Sequence, residues 1–153
     1  MKFYFILLCF FLLLVSCNSK ICGDDYSKSL NHFLVSNSQK KKIKNVVVIT
    51  NEGCGGCISD ATLFFKENNM LYKNNTIIIF TGVYDIKQLR ISIGSSFLNK
   101  KNVFMDKDNI FMNTNVSSIY PQVLKLNQDC VNSVSIFDRE NFKDNTVQDF
   151  NTQ

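Results

Sequence analysis

Two cysteines separated by two glycines are the residues of this chain best suited to do chemistry. They form the motif Cys54-Gly55-Gly56-Cys57 within "NEGCGGCISDA", residues 51–61. A pair at this spacing can act as a redox dithiol, hold one side of a zinc site, or close a structural disulfide. Redox exchange needs a thiolate, and the N–H groups at a helix N-terminus lower a thiol pKa from ~8.5 to about 3.5–7.5. A working dithiol therefore requires a helix that begins beside Cys54.

The apolar pattern around the motif predicts such a helix between two strands. "NVVVIT", residues 45–50, and "TIIIF", residues 76–80, are continuous apolar runs rich in β-branched residues, typical of strands buried on both faces of a sheet. Between them, positions i, i+4, i+7 and i+8 carry Cys57, Ala61, Phe64 and Phe65, one face of a helix that we expect to end near Asn68-Asn69. The resulting βαβ unit has parallel strands and places the motif where the first strand meets the helix.

The remaining elements predict one α/β domain. Residues 30–35 belong to a first element, helix or strand, and "VFM", residues 103–105, suggests a short edge or connecting element. "QVLKL" and "VNSVSIF", joined through "NQDC", predict a β-hairpin, and the tail predicts a final helix with Phe142 and Phe150 inward. A second helix is predicted from the spacing of Ile86, Leu89, Ile93 and Phe97.

The N-terminus predicts export. Lys2 precedes an apolar run over residues 3–15, which is shorter than the roughly 20 residues that span a bilayer. The run ends in "LVSC", which resembles the lipobox of bacterial lipoproteins and implies that Cys17 is lipidated and becomes the first residue. Ordinary signal cleavage near Ser16 is the alternative. We therefore expect a signal peptide at 1–16, a lipidated tether with the first element at 17–42, a domain at 43–153, and a lipid anchor in a bacterial cell envelope, facing the periplasm or exterior.

The order of the elements resembles the thioredoxin fold from Ile43 to Phe150. The shared features are a βαβ half with a CxxC opening its first core helix, then a hairpin and a closing helix. The resemblance implies a central mixed sheet flanked by helices. It also implies a cis-proline at Pro121, after Tyr120, facing the CxxC and helping to hold a substrate chain. Gly53 stands where thioredoxins carry tryptophan, and Val48 where cytosolic thioredoxins carry a buried acid.

The chemistry assigns different roles to the two cysteines. Cys54, the N-terminal and more exposed one, is expected to attack a substrate disulfide, and Cys57 to release the mixed disulfide. Asp60 stands where anchored thioredoxin-like reductases often carry an acid and could relay a proton. Its alternative interpretation is an exposed acid stabilised by the helix dipole.

The other cysteines and the charge give weaker signals. Secretion places Cys22 and Cys130 in an oxidising compartment, where a structural disulfide between them is one possibility. The alternatives are that both stay unpaired or that Cys130 is a third redox thiol. A zinc site would have to draw on these two and His32, without the paired spacing of zinc modules, so we expect neither metal nor cofactor. The net charge is +4, and its lysine run at 39–44 is interpreted as a solvated edge, not a nucleic-acid site.

Two functions remain open from the sequence. The first is a lipid-anchored thiol:disulfide oxidoreductase that acts on exported protein disulfides and exchanges electrons with a membrane partner. The second is a non-catalytic lipoprotein of the same fold, a binding or assembly module whose Cys54 and Cys57 form a structural disulfide. A CxxC beside a βαβ pattern favours the enzyme.

Overall fold

Five strands form a single mixed sheet in the computed structural model, which describes residues 25–37, 43–72, 75–112, 117–127 and 130–143. The strand order is β3-β2-β1-β4-β5. The α/β class with a central mixed sheet flanked by helices is thus confirmed. The strands are β1 (Asn45–Thr50), β2 (Thr76–Thr81), β3 (Val103–Met105), β4 (Gln122–Asn127) and β5 (Cys130–Ile136).

Four of the helices in the described ranges flank the sheet, and their bounds refine the predicted pattern. They are α1 (Asp25–Ser36), α2 (Gly55–Tyr72), α3 (Ile86–Ile93) and α4 (Ser95–Leu98). Helix α2 connects β1 to β2, and these strands pair in parallel from Asn45 opposite Thr76 to Thr50 opposite Thr81. Every side chain of both strands is buried, as their apolar runs predicted. The predicted βαβ unit is therefore present, although α2 continues beyond Asn68-Asn69 to Tyr72.

Helix α1 covers one face of the sheet. The element of uncertain type is therefore a helix, and its apolar residues recur at i, i+4, i+7 and i+8. They pack with Ile43, Val46 and Val48 into one hydrophobic cluster. Sheet residues that alternate with these point to the opposite face. The buried residues of α1 are Tyr26, Leu30, Phe33 and Leu34.

Helices α2, α3 and α4 cover the opposite face. Ala61, Phe64 and Phe65 of α2 are buried there, which confirms the predicted inner face of this helix. Residues 139–143 are helical and bring Phe142 into the same cluster, with its ring 5.0 Å from that of Phe65. The predicted inward position of Phe142 is therefore confirmed. Phe150 lies outside the described residues.

The second predicted helix is divided in two. Gly94 ends α3 with a φ of 95° and donates its backbone N–H to the carbonyl of Arg90. Because this backbone conformation favours glycine, the chain breaks here and restarts as α4. Leu89, Ile93 and Phe97 are nevertheless buried as predicted, whereas Ile86 is 39 % exposed in the first turn of α3.

The hairpin and the short edge strand lie at opposite ends of the sheet. Strand β3 pairs in parallel with β2, so the "VFM" segment is an edge strand. Strand β4 pairs antiparallel with β1 and with β5, and the hairpin is confirmed. Its register shifts between Lys125 and Leu126, and β5 becomes the other edge.

Tyr26 makes the stability of this packing dependent on alkaline pH. Burial raises the pKa of Tyr26 to about 12, outweighing its hydrogen bond to the side-chain oxygen of Gln122, which lowers it. The unfolded chain releases this proton near pH 10, so stability should fall by up to roughly 2–3 kcal/mol as the pH rises from about 10 to about 12. Thermal unfolding of the wild type and a Tyr26→Phe variant over this range measures the difference. Parallel stability curves for the two proteins would contradict the prediction.

Candidate functional site

The loop between β1 and α2 is fixed by backbone and hydroxyl contacts at the end of the sheet. Asn51 donates its backbone N–H to the carbonyl of Thr81 over 2.9 Å, which attaches the start of the loop to β2. The Thr50 hydroxyl bonds to both the backbone oxygen and the backbone nitrogen of Glu52, at 3.0 and 3.2 Å. The chain is therefore turned immediately after β1 and delivers Cys54 to the start of α2.

Cys54 is the residue that caps the N-terminus of α2. Its carbonyl accepts the N–H of Ile58 at 2.9 Å, the first hydrogen bond of the helix. Its Sγ lies 3.3 Å from the backbone nitrogen of Cys57, which donates to it. At most helix starts, the side-chain oxygen of Ser, Thr, Asp or Asn accepts the hydrogen bond from the backbone N–H two or three residues further on. Here the sulfur of Cys54 takes the place of that oxygen.

The two cysteines of the motif form a disulfide, with Cα atoms 5.3 Å apart. Both are half-buried, so neither sulfur is enclosed in the core. After reduction, a thiolate at Cys54 would retain the N–H donor of Cys57 and the positive end of the helix dipole. The predicted position of the motif at a helix N-terminus is confirmed, although the buried helix α1 precedes α2 in the chain.

Gly53 brings the loop into direct contact with the segment that precedes β4. Its φ is 126°, and a Cβ built on it would lie 2.3 Å from the carbonyl oxygen of Ile119. The next residue, Cys54, donates its backbone N–H to that same oxygen over 3.2 Å. No side chain fits at position 53 in this arrangement, which gives a physical reason for the glycine there.

Pro121 follows this contact, but not with the geometry that the resemblance implied. The structure has no cis peptide bond among the described residues, so the Tyr120–Pro121 bond is trans and the expected cis-proline is wrong. Trans is the ordinary preference of such bonds by about 0.5–1 kcal/mol, and here the Ile119 carbonyl already holds the segment against the CxxC loop. Pro121 is buried, whereas Tyr120 is 39 % and Ile119 59 % exposed.

Asp60 is turned toward the helical residues 139–143. Its carboxylate accepts a hydrogen bond from the Arg139 guanidinium at 2.5 Å, and its side chain is 52 % exposed. The same guanidinium lies over the Phe64 ring, 5.6 Å from its centroid. The structure thus gives Asp60 a charged partner that the sequence did not suggest. A proton relay through Asp60 stays a prediction.

Sequence reasoning missed a second pair of side chains beside the loop. Tyr84, in the turn after β2, is 79 % exposed and interacts with Glu52, whose hydrogen bond and charge raise the pKa of the tyrosine above its usual value. Gly82 lies close to the same place, because a Cβ built on it would be 3.7 Å from Cγ of Glu52. Glu52 and Tyr84 follow the ends of the parallel strands β1 and β2, and such ends lie at the same edge of a sheet. This was the only sequence signal that the two side chains would be close.

The remaining predicted site residues fall partly outside the described chain. Cys17 and Cys22 lie there, so lipidation stays a prediction. Cys130 is disulfide-bonded. Pairing with Cys22 stays a prediction. In the described part of the chain, His32 is exposed on α1, and no three His, Cys, Asp or Glu side chains are grouped to hold a metal.

The fold and the site together define an α/β protein with a mixed five-stranded sheet and a cysteine pair at a helix start. None of the helices within the described ranges is both long and apolar enough to cross a membrane. The chain matches no protein-family model, no curated protein and no solved structure.

Proposed function

We propose that this protein is an exported, lipid-anchored thiol:disulfide oxidoreductase that works through Cys54 and Cys57. The observation that carries the proposal is the position of Cys54 as the N-terminal cap of α2, with its Sγ accepting the Cys57 N–H. This position favours the thiolate over the thiol, because the N–H donor and the helix dipole stabilise negative charge. The strand order and the hairpin also agree with the thioredoxin-like arrangement that we propose for the fold.

The proposed reaction transfers two electrons from the reduced pair to a substrate disulfide. The Cys54 thiolate attacks one sulfur of the substrate, forming a mixed disulfide and releasing the other sulfur as a thiolate. Deprotonated Cys57 then attacks Sγ of Cys54 and releases the second substrate thiolate. The products are the Cys54–Cys57 disulfide seen in the structure and a dithiol substrate, which takes up two protons.

The surface around Cys54 supports a polypeptide as the substrate. A Cβ built on Gly55 or on Gly56 would meet nothing within 4 Å, so the approach beside the two sulfurs is open. On the other side, Ile119 and Tyr120 expose apolar surface next to the loop. An extended chain carrying a cystine could lie between these two borders.

Export and anchoring rest on the sequence signal at residues 1–17. Cys17 would carry acyl chains, and two or more chains give stable membrane attachment where one does not. The proposed setting is the envelope of a bacterium, with exported proteins as substrates. A membrane protein would serve as electron donor or acceptor, because the pair must be returned to its starting redox state after each turnover.

Insulin reduction tests the enzymatic proposal directly. With dithiothreitol as the reductant, the wild-type protein should accelerate insulin precipitation, and a Cys54→Ser variant should return the rate to that of dithiothreitol alone. Serine keeps the cap and the size of the side chain but removes the attacking sulfur. Equal rates for the two proteins would reject the proposal and favour the alternative, a binding or assembly lipoprotein whose disulfide is structural.

A further inference from the structure

Strand β5 is an outer strand whose sequence is unusual for an exposed edge. Its residues 130–136 read "CVNSVSI", with neither a charge nor a proline. Edge strands of soluble proteins usually carry such residues, because an open row of backbone groups can pair with another chain. In addition, Val134 is 39 % exposed and Ile136 58 % exposed.

The hydrogen bonds of the hairpin show which backbone groups of β5 face outward. Phe137 donates its N–H to the Pro121 carbonyl over 2.7 Å, so the backbone of residue 137 faces β4. In an antiparallel ladder this direction alternates. Residues 135 and 133 therefore also face β4, while the N–H and C=O groups of Val134 and Ile136 point away from the sheet.

The open edge is limited at both ends. At one end the Val131 N–H donates to the Ser27 hydroxyl of α1 over 3.1 Å, so α1 occupies the edge there. At the other end the chain leaves the sheet and becomes helical from residue 139. As far as the described residues show, the open window is thus residues 132–138, and Ser135 is its centre.

We propose that β5 pairs antiparallel with β5 of a second copy of this chain, about a two-fold axis at Ser135. In this register Val134 lies opposite Ile136 of the second copy, and each such pair exchanges two N–H···O bonds. The paired stretch of each copy ends at residue 138, where its chain turns into the helix. It therefore stops short of the position that α1 occupies opposite Val131.

Side chains and charges agree with pairing between identical strands. Val134 and Ile136 lie on the α1 face, since Val134 is opposite Leu124 and Ile136 opposite Gln122. The two-fold register places the valine of one copy against the isoleucine of the other and covers both. The nearest charge, Asp138, lies opposite the neutral Asn132 of the second copy, so no like charges meet.

Engineered cysteines test both the pairing and its register. Ser135 of the two copies would form a non-hydrogen-bonded pair with Cα atoms about 4.5 Å apart, within reach of a disulfide. Two Ser133 residues would be about 14 Å apart, too far to bridge. In the full chain carrying Cys54→Ala and Cys57→Ala, added Ser135→Cys should give mainly a covalent dimer on oxidation. Added Ser133→Cys, the matched control, should stay monomeric.

Sedimentation of the full chain in detergent tests the interface without added cysteines. The wild type should reach twice the monomer mass as its concentration rises, and Val134→Lys should remain at the monomer mass. Val35→Lys, at an 81 % exposed site on α1, should behave as the wild type. A monomeric wild type, equal cross-linking at positions 133 and 135, or a dimer that survives Val134→Lys would each overturn the proposal. None of these readouts depends on redox activity.

Discussion

Replacing Gly53 with alanine is expected to destabilise the protein by about 2–4 kcal/mol and to lower its Tm by roughly 6–12 °C. The φ of 126° is one that side-chain-bearing residues rarely adopt. The added Cβ would also lie 2.3 Å from the Ile119 oxygen and 2.7 Å from the Ile119 Cβ. The loop must move away to relieve this overlap, and the hydrogen bond from Cys54 to Ile119 is then lost. Thermal and urea unfolding measure the effect.

Gly55 and Gly56 provide matched controls within the same motif. A Cβ on either glycine would meet nothing within 4 Å, and both residues lie in the first turn of α2. Alanine there should leave stability unchanged or raise it by about 0.5–1 kcal/mol, because glycine is a poor helix former. Equal unfolding temperatures for Gly53→Ala and Gly55→Ala would contradict the close contact between the loop and Ile119.

Replacing Cys57 with alanine is expected to stop turnover while trapping the substrate. Cys54 would still attack a substrate disulfide, but no second thiol would be in place to release it, so the mixed disulfide should accumulate. Insulin reduction should then fall to the rate of the reductant alone. Non-reducing gels of membranes from cells that express the variant should show it disulfide-linked to other proteins, and these bands should disappear on reduction.

The matched control for this trap is the double variant with alanine at Cys54 and Cys57. It retains Cys130, which is disulfide-bonded, and so reports any cross-linking that does not pass through Cys54. Species seen equally in both variants would not be exchange intermediates. If Cys57→Ala formed no cross-linked species beyond those of the double variant, the proposal that Cys57 resolves the mixed disulfide would be wrong.

Much of the fold could be predicted because its elements have strong local patterns. The central residues of β1 and β2 are all apolar because both faces of these strands are covered, one by α1 and the other by α2 to α4. The hairpin follows from two strand-like runs joined by a short polar loop, and the inner face of α2 follows from a period of 3.6 residues. The break at Gly94 was visible as a glycine, but apolar residues on both sides kept the helical spacing and concealed it.

The site was predicted less completely because its decisive contacts join distant parts of the chain. The spacing of Cys54 and Cys57 is local, and the helix start followed from the strand before it. The contact of Gly53 with Ile119 and the pairing of Asp60 with Arg139 depend on how loops meet in space. The trans bond at Pro121 likewise overturned an expectation that came from resemblance alone.

The pKa of the Cys54 thiol is the most direct test of the central claim that the start of α2 activates this residue. In the Cys57→Ala variant Cys54 has no disulfide partner in the motif, and its rate of alkylation by iodoacetamide can be followed against pH, with the Cys54→Ala/Cys57→Ala protein as the blank. We predict a half-maximal rate at or below about pH 7.5, as expected for a thiolate stabilised at a helix N-terminus. A midpoint at or above ~8.5, the value of a free thiol, would contradict the claim.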